Sequence, residues 1–166
     1  MPKHREEKTN VLRILDQHKI PYTAHTYDET EDPMDTRDYG VHIAAALGQD
    51  PARCFKTLVA KGASGGVYVY CVPVAETLDL KKAAKAAGEK SVALLPVKEI
   101  LPVTGYVRGG CSPVGMKKRY PTVLHETAAG YETIYISAGK IGVQAELSPR
   151  DLLSLLGART ADITAG

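Results

Sequence analysis

The chain has 166 residues, 24% of them charged and 44% apolar, with a net charge of only +2. This is the composition of an ordinary soluble globular protein of one domain, 1–166, long enough to bury a sizeable core. Bulk charge is excluded as an argument for nucleic-acid binding, so any such footprint is local, and no apolar run reaches the ~18 residues of a membrane span.

In chain order, the opening MPKHREEKTN is basic and polar but leads into no apolar run, so no secretory signal is expected. Val11, Leu12, Ile14 and Leu15 form an apolar stripe at helical spacing and predict a helix from about Lys8 to His18, ended by Pro21. Tyr22 to Tyr27 alternates as a short strand, the acidic stretch Asp28 to Asp38 reads as a loop, and a second helix spans Val41 to Leu47 with Gly48 as its stop. Cys54 to Ala60 and Val67 to Val74 read as strands joined by a glycine-rich turn. Asp79 is a natural N-cap for a helix from Leu80 to Ala87, closed by Gly88.

Ser91 to Leu95 is strand-like, and Pro96 starts a short helix through Ile100. Further strands are predicted at Tyr106 to Arg108, Thr122 to Leu124, Thr133 to Ser137 and Gly142 to Leu147. Ser148, Pro149 and Asp151 supply a cap, a first-turn proline and an acid three residues after the cap, so a last helix runs to Leu156 and stops at Gly157. Strands outnumber helices and do not alternate with them. The pattern predicts an α+β fold, a mixed and mostly antiparallel sheet flanked by helices; periodicity leaves barrel closure open.

Lys56 is the most informative position. The run Cys54-Phe-Lys-Thr-Leu-Val-Ala60 is apolar on both faces, as in a strand covered on both sides. A lysine there either guards a sheet edge or holds its ammonium in a cavity against a carbonyl or anion. Gly109 and Gly110, just before Ser112 and Pro113, form either a plain turn or a loop whose backbone approaches a ligand. Lys117, Lys118 and Arg119 are either a solvated basic turn or a phosphate contact. Ser137 shares a strand face with Tyr135 and Thr133, lining a cleft or facing solvent; Tyr27 offers a hydroxyl or merely buries a ring. The five histidines are scattered, and the three cysteines (Cys54, Cys71, Cys111) show no metal-ligand spacing or CxxC pair, which fits a reducing cytoplasm. With no HExxH, P-loop, GxSxG or dinucleotide fingerprint, the expected chemistry uses neither metal nor cofactor.

Taken in order, several phrases form a pattern: Phe55-Lys-Thr-Leu58 after Leu47-Gly-x-Asp-Pro51, then Pro73-Val-Ala, Leu78-Asp-Leu-Lys-Lys82, Gly109-Gly-x-Ser-Pro113, Lys117-Lys-Arg-x-Pro121 and Ile134-Tyr-Ile-Ser137. From about Val11 to Ile163 this resembles the YbaK/EbsC family of bacterial cysteinyl-tRNA(Pro) deacylases, which also supplies the editing insertion of bacterial prolyl-tRNA synthetases. The resemblance implies a compact mixed barrel with flanking helices and a cytoplasmic enzyme. Its implied substrate is aminoacyl-tRNA, its implied partner prolyl-tRNA synthetase, with no DNA, membrane, cofactor or metal. Its essential lysine falls on Lys56, its binding tyrosine on Tyr27, its GxxxP loop on Gly109 to Pro113 and its binding serine on Ser137. Where the family prototype has a pocket aspartate this chain has Gln144, which removes an acceptor for a cationic amino group. Nothing in the resemblance makes Cys111 a nucleophile. The implied reaction is attack by the substrate's own thiol, a lyase-type cyclisation. The alternatives are water attack on another small aminoacyl ester such as alanine, or a non-catalytic module that binds tRNA or a synthetase.

Overall fold

Thr9 accepts a hydrogen bond from the Leu12 amide at 3.2 Å and caps helix α1 (Asn10–Gln17). The helix starts after Lys8 because the threonine oxygen satisfies an amide that would otherwise be orphaned. At the other end of the chain Ser148 caps α5 (Pro149–Leu156) in the predicted manner. Both helices lie on an antiparallel sheet of β1 (Tyr22–Thr26), β7 (Val143–Leu147) and β6 (Ile134–Lys140), in that order. Val11, Leu15, Ile134, Ile136, Leu147 and Leu152 fill the space between them.

The computed structural model describes residues 8–27 and 39–165; the acidic stretch Asp28 to Asp38, read above as a loop, lies outside the described residues. A second sheet has the order β4 (Val92–Leu94), β2 (Phe55–Gly62), β3 (Val67–Pro73), β5 (Thr122–His125), β8 (Arg159–Ala161). Helix α3 (Leu80–Ala87) covers it, with Asp79 and Gly88 at its ends. Ala60, Val72, Ala83 and Ile163 form that core, and the buried Tyr70 hydroxyl donates to the Ala83 carbonyl at 2.9 Å.

The α+β expectation holds, and four of the six strand pairings among the described residues are antiparallel. The strands form two sheets rather than one closed barrel. Two predicted boundaries fail for physical reasons. Tyr106 to Arg108 is not a strand: it follows α4 (Val97–Thr104) directly and enters a turn. Helix α4 itself runs past Ile100 through Pro102 to Thr104, where Gly105 closes the last turn onto Leu101 and Lys117 Nζ donates to the Pro102 carbonyl at 3.2 Å. Strand β8 has only three residues, and its parallel pairing to β5 creates it. Helix α2 (Tyr39–Ala46) brings Ala44 against Cys54, Val74 and Tyr135.

Strand β2 joins the two sheets. One edge pairs with β3 along its length. The other edge meets β6 through one bridge, Cys54 to Tyr135, and β4 only from Ala60 onward. One strand edge cannot keep two neighbours that twist away from each other, so a wedge opens beside residues 55–58. The site lies there.

Candidate active site

The wedge is a cavity of about 250 Å³ whose floor is Cys54 and the first half of β2, Phe55 through Leu58. Tyr27 at the end of β1, Tyr135 and Ser137 of β6, Gln144 of β7, Tyr39 and Ile43 of α2, and Arg108 with Gly109 line the rest. Five expected residues therefore meet in one place: Tyr27, Lys56, Gly109, Ser137 and Gln144. Two cations line this cavity, Lys56 and Arg108, and no aspartate or glutamate does among the described residues.

Of the two readings left open for Lys56, the geometry selects the cavity. Its ammonium donates to the Val74 carbonyl at 3.3 Å, and the Val74 amide returns to the Cys54 carbonyl at 2.8 Å, so the anchor sits on the β2–β3 ladder. Helix α2 braces the same residue from outside. A Cβ on Gly40 would stand 2.5 Å from Val74 Cγ1, so glycine lets the helix press on a stiff β-branched side chain.

The paired glycines have different jobs. Gly110 donates to the Val107 carbonyl at 3.0 Å, closing a turn whose third residue, Gly109, has φ 88°. That positive φ is the type II requirement for glycine. A Cβ on Gly110 would lie 3.0 Å from the Ile141 amide nitrogen, so this residue lets the turn sit directly on the β6–β7 hairpin. Its amide is committed to the turn, which corrects the expectation that it points at a ligand. Pro113 is buried and lines a different hollow. Of the three consecutive cations, Lys117 holds the Pro102 carbonyl and Arg119 the Leu155 carbonyl at 3.3 Å, both at helix C-terminal ends where carbonyls lack partners. Lys118 alone is left exposed without a partner among the described residues.

Gln144 faces Gln49 in a reciprocal amide pair, at 2.7 and 3.0 Å. Each side chain satisfies the other, so the buried Gln144 closes the cavity wall as a neutral group. The Cys54 thiol donates to the same Gln49 oxygen at 3.3 Å. Burial pushes the thiols of Cys54 and Cys111 up to about 12, so both remain protonated and are poor nucleophiles. The Ser137 oxygen accepts the Gly139 amide at 3.1 Å, leaving its own proton for a ligand. Behind the Tyr135 ring, Arg53 stacks 4.9 Å from its centroid and His25 meets it edge-on. Glu146 ties this support together: the Thr133 hydroxyl, then His25 and Arg53, hold its carboxyl below the usual range.

The sequence left Tyr135 open as a cleft-lining neighbour of Ser137 and assigned no role to Arg108 or Gln49. Tyr135 had a signal, since it alternates with Ser137 on one strand face; Gln49 had none, because its partner lies 95 residues away. Among the described residues no group of three or more His, Cys, Asp or Glu side chains is placed to hold a metal, and no helix is long and apolar enough to cross a membrane.

Comparison with known proteins adds four findings. A sequence model described as the aminoacyl-tRNA editing domain matches residues 35–155. A protein of Enterococcus faecalis, provisionally named Cys-tRNA(Pro)/Cys-tRNA(Cys) deacylase EbsC, is 45% identical over 162 residues, covering 98% of this chain and 96% of its own. A solved structure provisionally described as a trans-editing enzyme for prolyl-tRNA synthetase superposes with a TM-score of 0.78 at 26% identity, over 96% of this chain and 100% of that one. A second solved structure, of a hypothetical protein, reaches 0.82 at 26% identity, over 94% of this chain and 99% of its own.

Proposed function

The chain belongs to the aminoacyl-tRNA editing domain family, and on that premise we propose that it is a trans-acting deacylase that removes cysteine from mischarged tRNA(Pro), and from tRNA(Cys) as well. One observation carries this reading. The wedge beside β2 gathers Lys56, Tyr27, Ser137 and the Gly109 turn around a small, cationic hollow. Its volume is below the ~300–1,000 Å³ of pockets that enclose whole drug-sized ligands. It suits an aminoacyl group while the nucleotide stays at the mouth.

The chemistry asks little of the protein. The substrate's thiol sulfur bonds to its own carbonyl carbon, the ester C–O bond breaks, and the sulfur's proton ends on the departing ribose oxygen. The product is a cyclic thioester. An attached nucleophile has an effective concentration of up to ~10⁵ M or more when well oriented, so orientation and oxyanion stabilisation suffice. In this reading Lys56 stabilises the carbonyl oxygen as charge develops, and Tyr27 and Ser137 orient the aminoacyl end. The protonated state of Cys54 and Cys111 supports a substrate thiol over a protein thiol. The neutral Gln49–Gln144 wall gives a substrate ammonium no carboxylate at this position, so size and the thiol set selectivity.

Single-turnover deacylation of cysteinyl-tRNA(Pro) and alanyl-tRNA(Pro), with product analysis, tests the proposal. Cysteinyl-tRNA should react at least ~100-fold faster, given the entropic advantage of an attached nucleophile, and release a cyclic thioester. Equal rates with free amino acid as product point to water attack instead. No turnover with either substrate removes the deacylase reading. By the same reasoning prolyl-tRNA synthetase is the proposed partner, checked by co-sedimentation of the two proteins with tRNA(Pro).

A further inference from the structure

Arg108 is the one cation of the cavity with no hydrogen bond or ion pair among the described residues, yet its backbone is held firmly. The turn from Val107 to Gly110 is closed by a 3.0 Å hydrogen bond, Gly109 supplies the positive φ, and Gly110 lies against the hairpin at 140–141. A long, unpaired guanidinium on a fixed turn, half-buried at the wall of a cavity, is poised for a ligand. Next to it Val107 is 49% exposed, so the turn that carries Arg108 lies at the protein surface. Lys56 is placed differently, on the β2 floor and tied to the Val74 carbonyl.

We propose that Arg108 binds the 5′-phosphate of the tRNA's terminal adenosine, forming a phosphate subsite at the cavity mouth separate from the ester-binding floor. This rests on the deacylase reading, because that reading puts a nucleotide at the mouth. The division follows from the chemistry of the two cations. A guanidinium presents paired N–H donors that match two phosphate oxygens at once, whereas an ammonium is a compact point charge suited to a single carbonyl oxygen. No acidic side chain lines the described cavity to compete for Arg108.

The test compares ligands with and without the phosphate. Titration calorimetry of adenosine 5′-monophosphate and adenosine is run on the wild-type protein, Arg108→Gln and Arg108→Lys. Wild type should bind the monophosphate ~10-fold or more tightly, as a charge-assisted hydrogen-bond pair gives. Arg108→Gln should bind both ligands alike, and Arg108→Lys should fall between. Thermal unfolding of both variants should match wild type, since the side chain has no partner among the described residues.

In parallel, cysteinyl-tRNA(Pro) kinetics should show KM rising ~10-fold in Arg108→Gln with kcat held within about twofold. The slope of log KM against log salt should fall by ~0.7, the value for one single-strand phosphate contact. A preference for the monophosphate that survives in Arg108→Gln, or a KM unchanged in Arg108→Gln while the wild type turns over normally, overturns the phosphate subsite alone. A wild type that binds the monophosphate preferentially but deacylates nothing removes the deacylase reading and leaves the subsite standing as an anion site.

Discussion

The protein holds two hollows of nearly equal size, about 250 Å³ beside β2 and about 240 Å³ between α1, α5 and residues 113–120. Both have basic side chains in their walls. In the second, three polar side chains are consumed by the fold itself: Arg119 holds the Leu155 carbonyl, Tyr120 donates to the Val103 carbonyl at 2.9 Å, and Thr122 donates to the Tyr120 carbonyl at 3.0 Å. Lys118, in the same wall, bonds to no described neighbour and stays exposed. In the first, Arg108 and the proton of Ser137 stay available beside an ammonium that a ladder carbonyl fixes in place. Space of this size is therefore no guide to function. What separates the two is whether donors converge on the space or are spent on neighbouring backbone.

The sharpest way to break this comparison is to remove one cation from each hollow. Lys56→Ala should slow single-turnover deacylation of cysteinyl-tRNA(Pro) by ~10²–10³-fold, the usual loss for a preorganised oxyanion donor. Lys118→Ala should leave the rate within about twofold, since an exposed, unpaired lysine contributes little. Similar losses for the two would erase the distinction.

The next effect is mechanical. Gly40→Ala adds a methyl that would meet Val74, whose carbonyl holds Lys56. A displacement near 1 Å can cost up to ~100-fold, so a loss of ~10–100-fold is expected with the fold retained by circular dichroism. A wild-type rate would show that the brace from α2 does not matter.

A smaller effect concerns the support behind Tyr135. The folded carboxyl of Glu146 titrates lower than it does unfolded, chiefly through the Thr133 hydrogen bond. Its stabilisation is thus fully present above the unfolded carboxylate value of ~4.3 and is lost as pH falls through the lower folded value. Melting temperature should drop below that pH, and Glu146→Gln should flatten part of the drop. The opposite sign would contradict the depressed titration.

Smallest of all should be Cys111→Ala. Its thiol stays protonated, so the deacylation rate should remain within about threefold, and a larger loss would reopen the case for a protein nucleophile.

Several elements were legible in the sequence because their causes are local. The helices at 80–87 and 149–156 begin at Asp79 and Ser148 and end before Gly88 and Gly157, since caps act within one turn. The alternation of β6 and β7 and the doubly apolar run of β2 were equally plain. The odd lysine in that run pointed to the cavity, and a resemblance spread over seven short phrases placed Tyr27, Gly109 and Ser137 beside it.

What local pattern could not decide was anything that depends on a distant partner. Strand β8 is held as a strand by its pairing to β5, and Tyr106 to Arg108 failed as a strand because the segment enters the turn that Gly110 closes onto Val107. The commitments of Lys117 and Arg119 to helix-end carbonyls, and of Gln144 to Gln49, were invisible for the same reason: each joins groups 15 to 95 residues apart. By itself the sequence determined which residues can form hydrogen bonds, carry charge or bend the backbone. Only the tertiary structure decided which of those capacities the fold uses up and which remain for a ligand. Hydrogen bonds and ion pairs saturate with whatever lies within about 3 Å in space, not with what lies nearby along the chain.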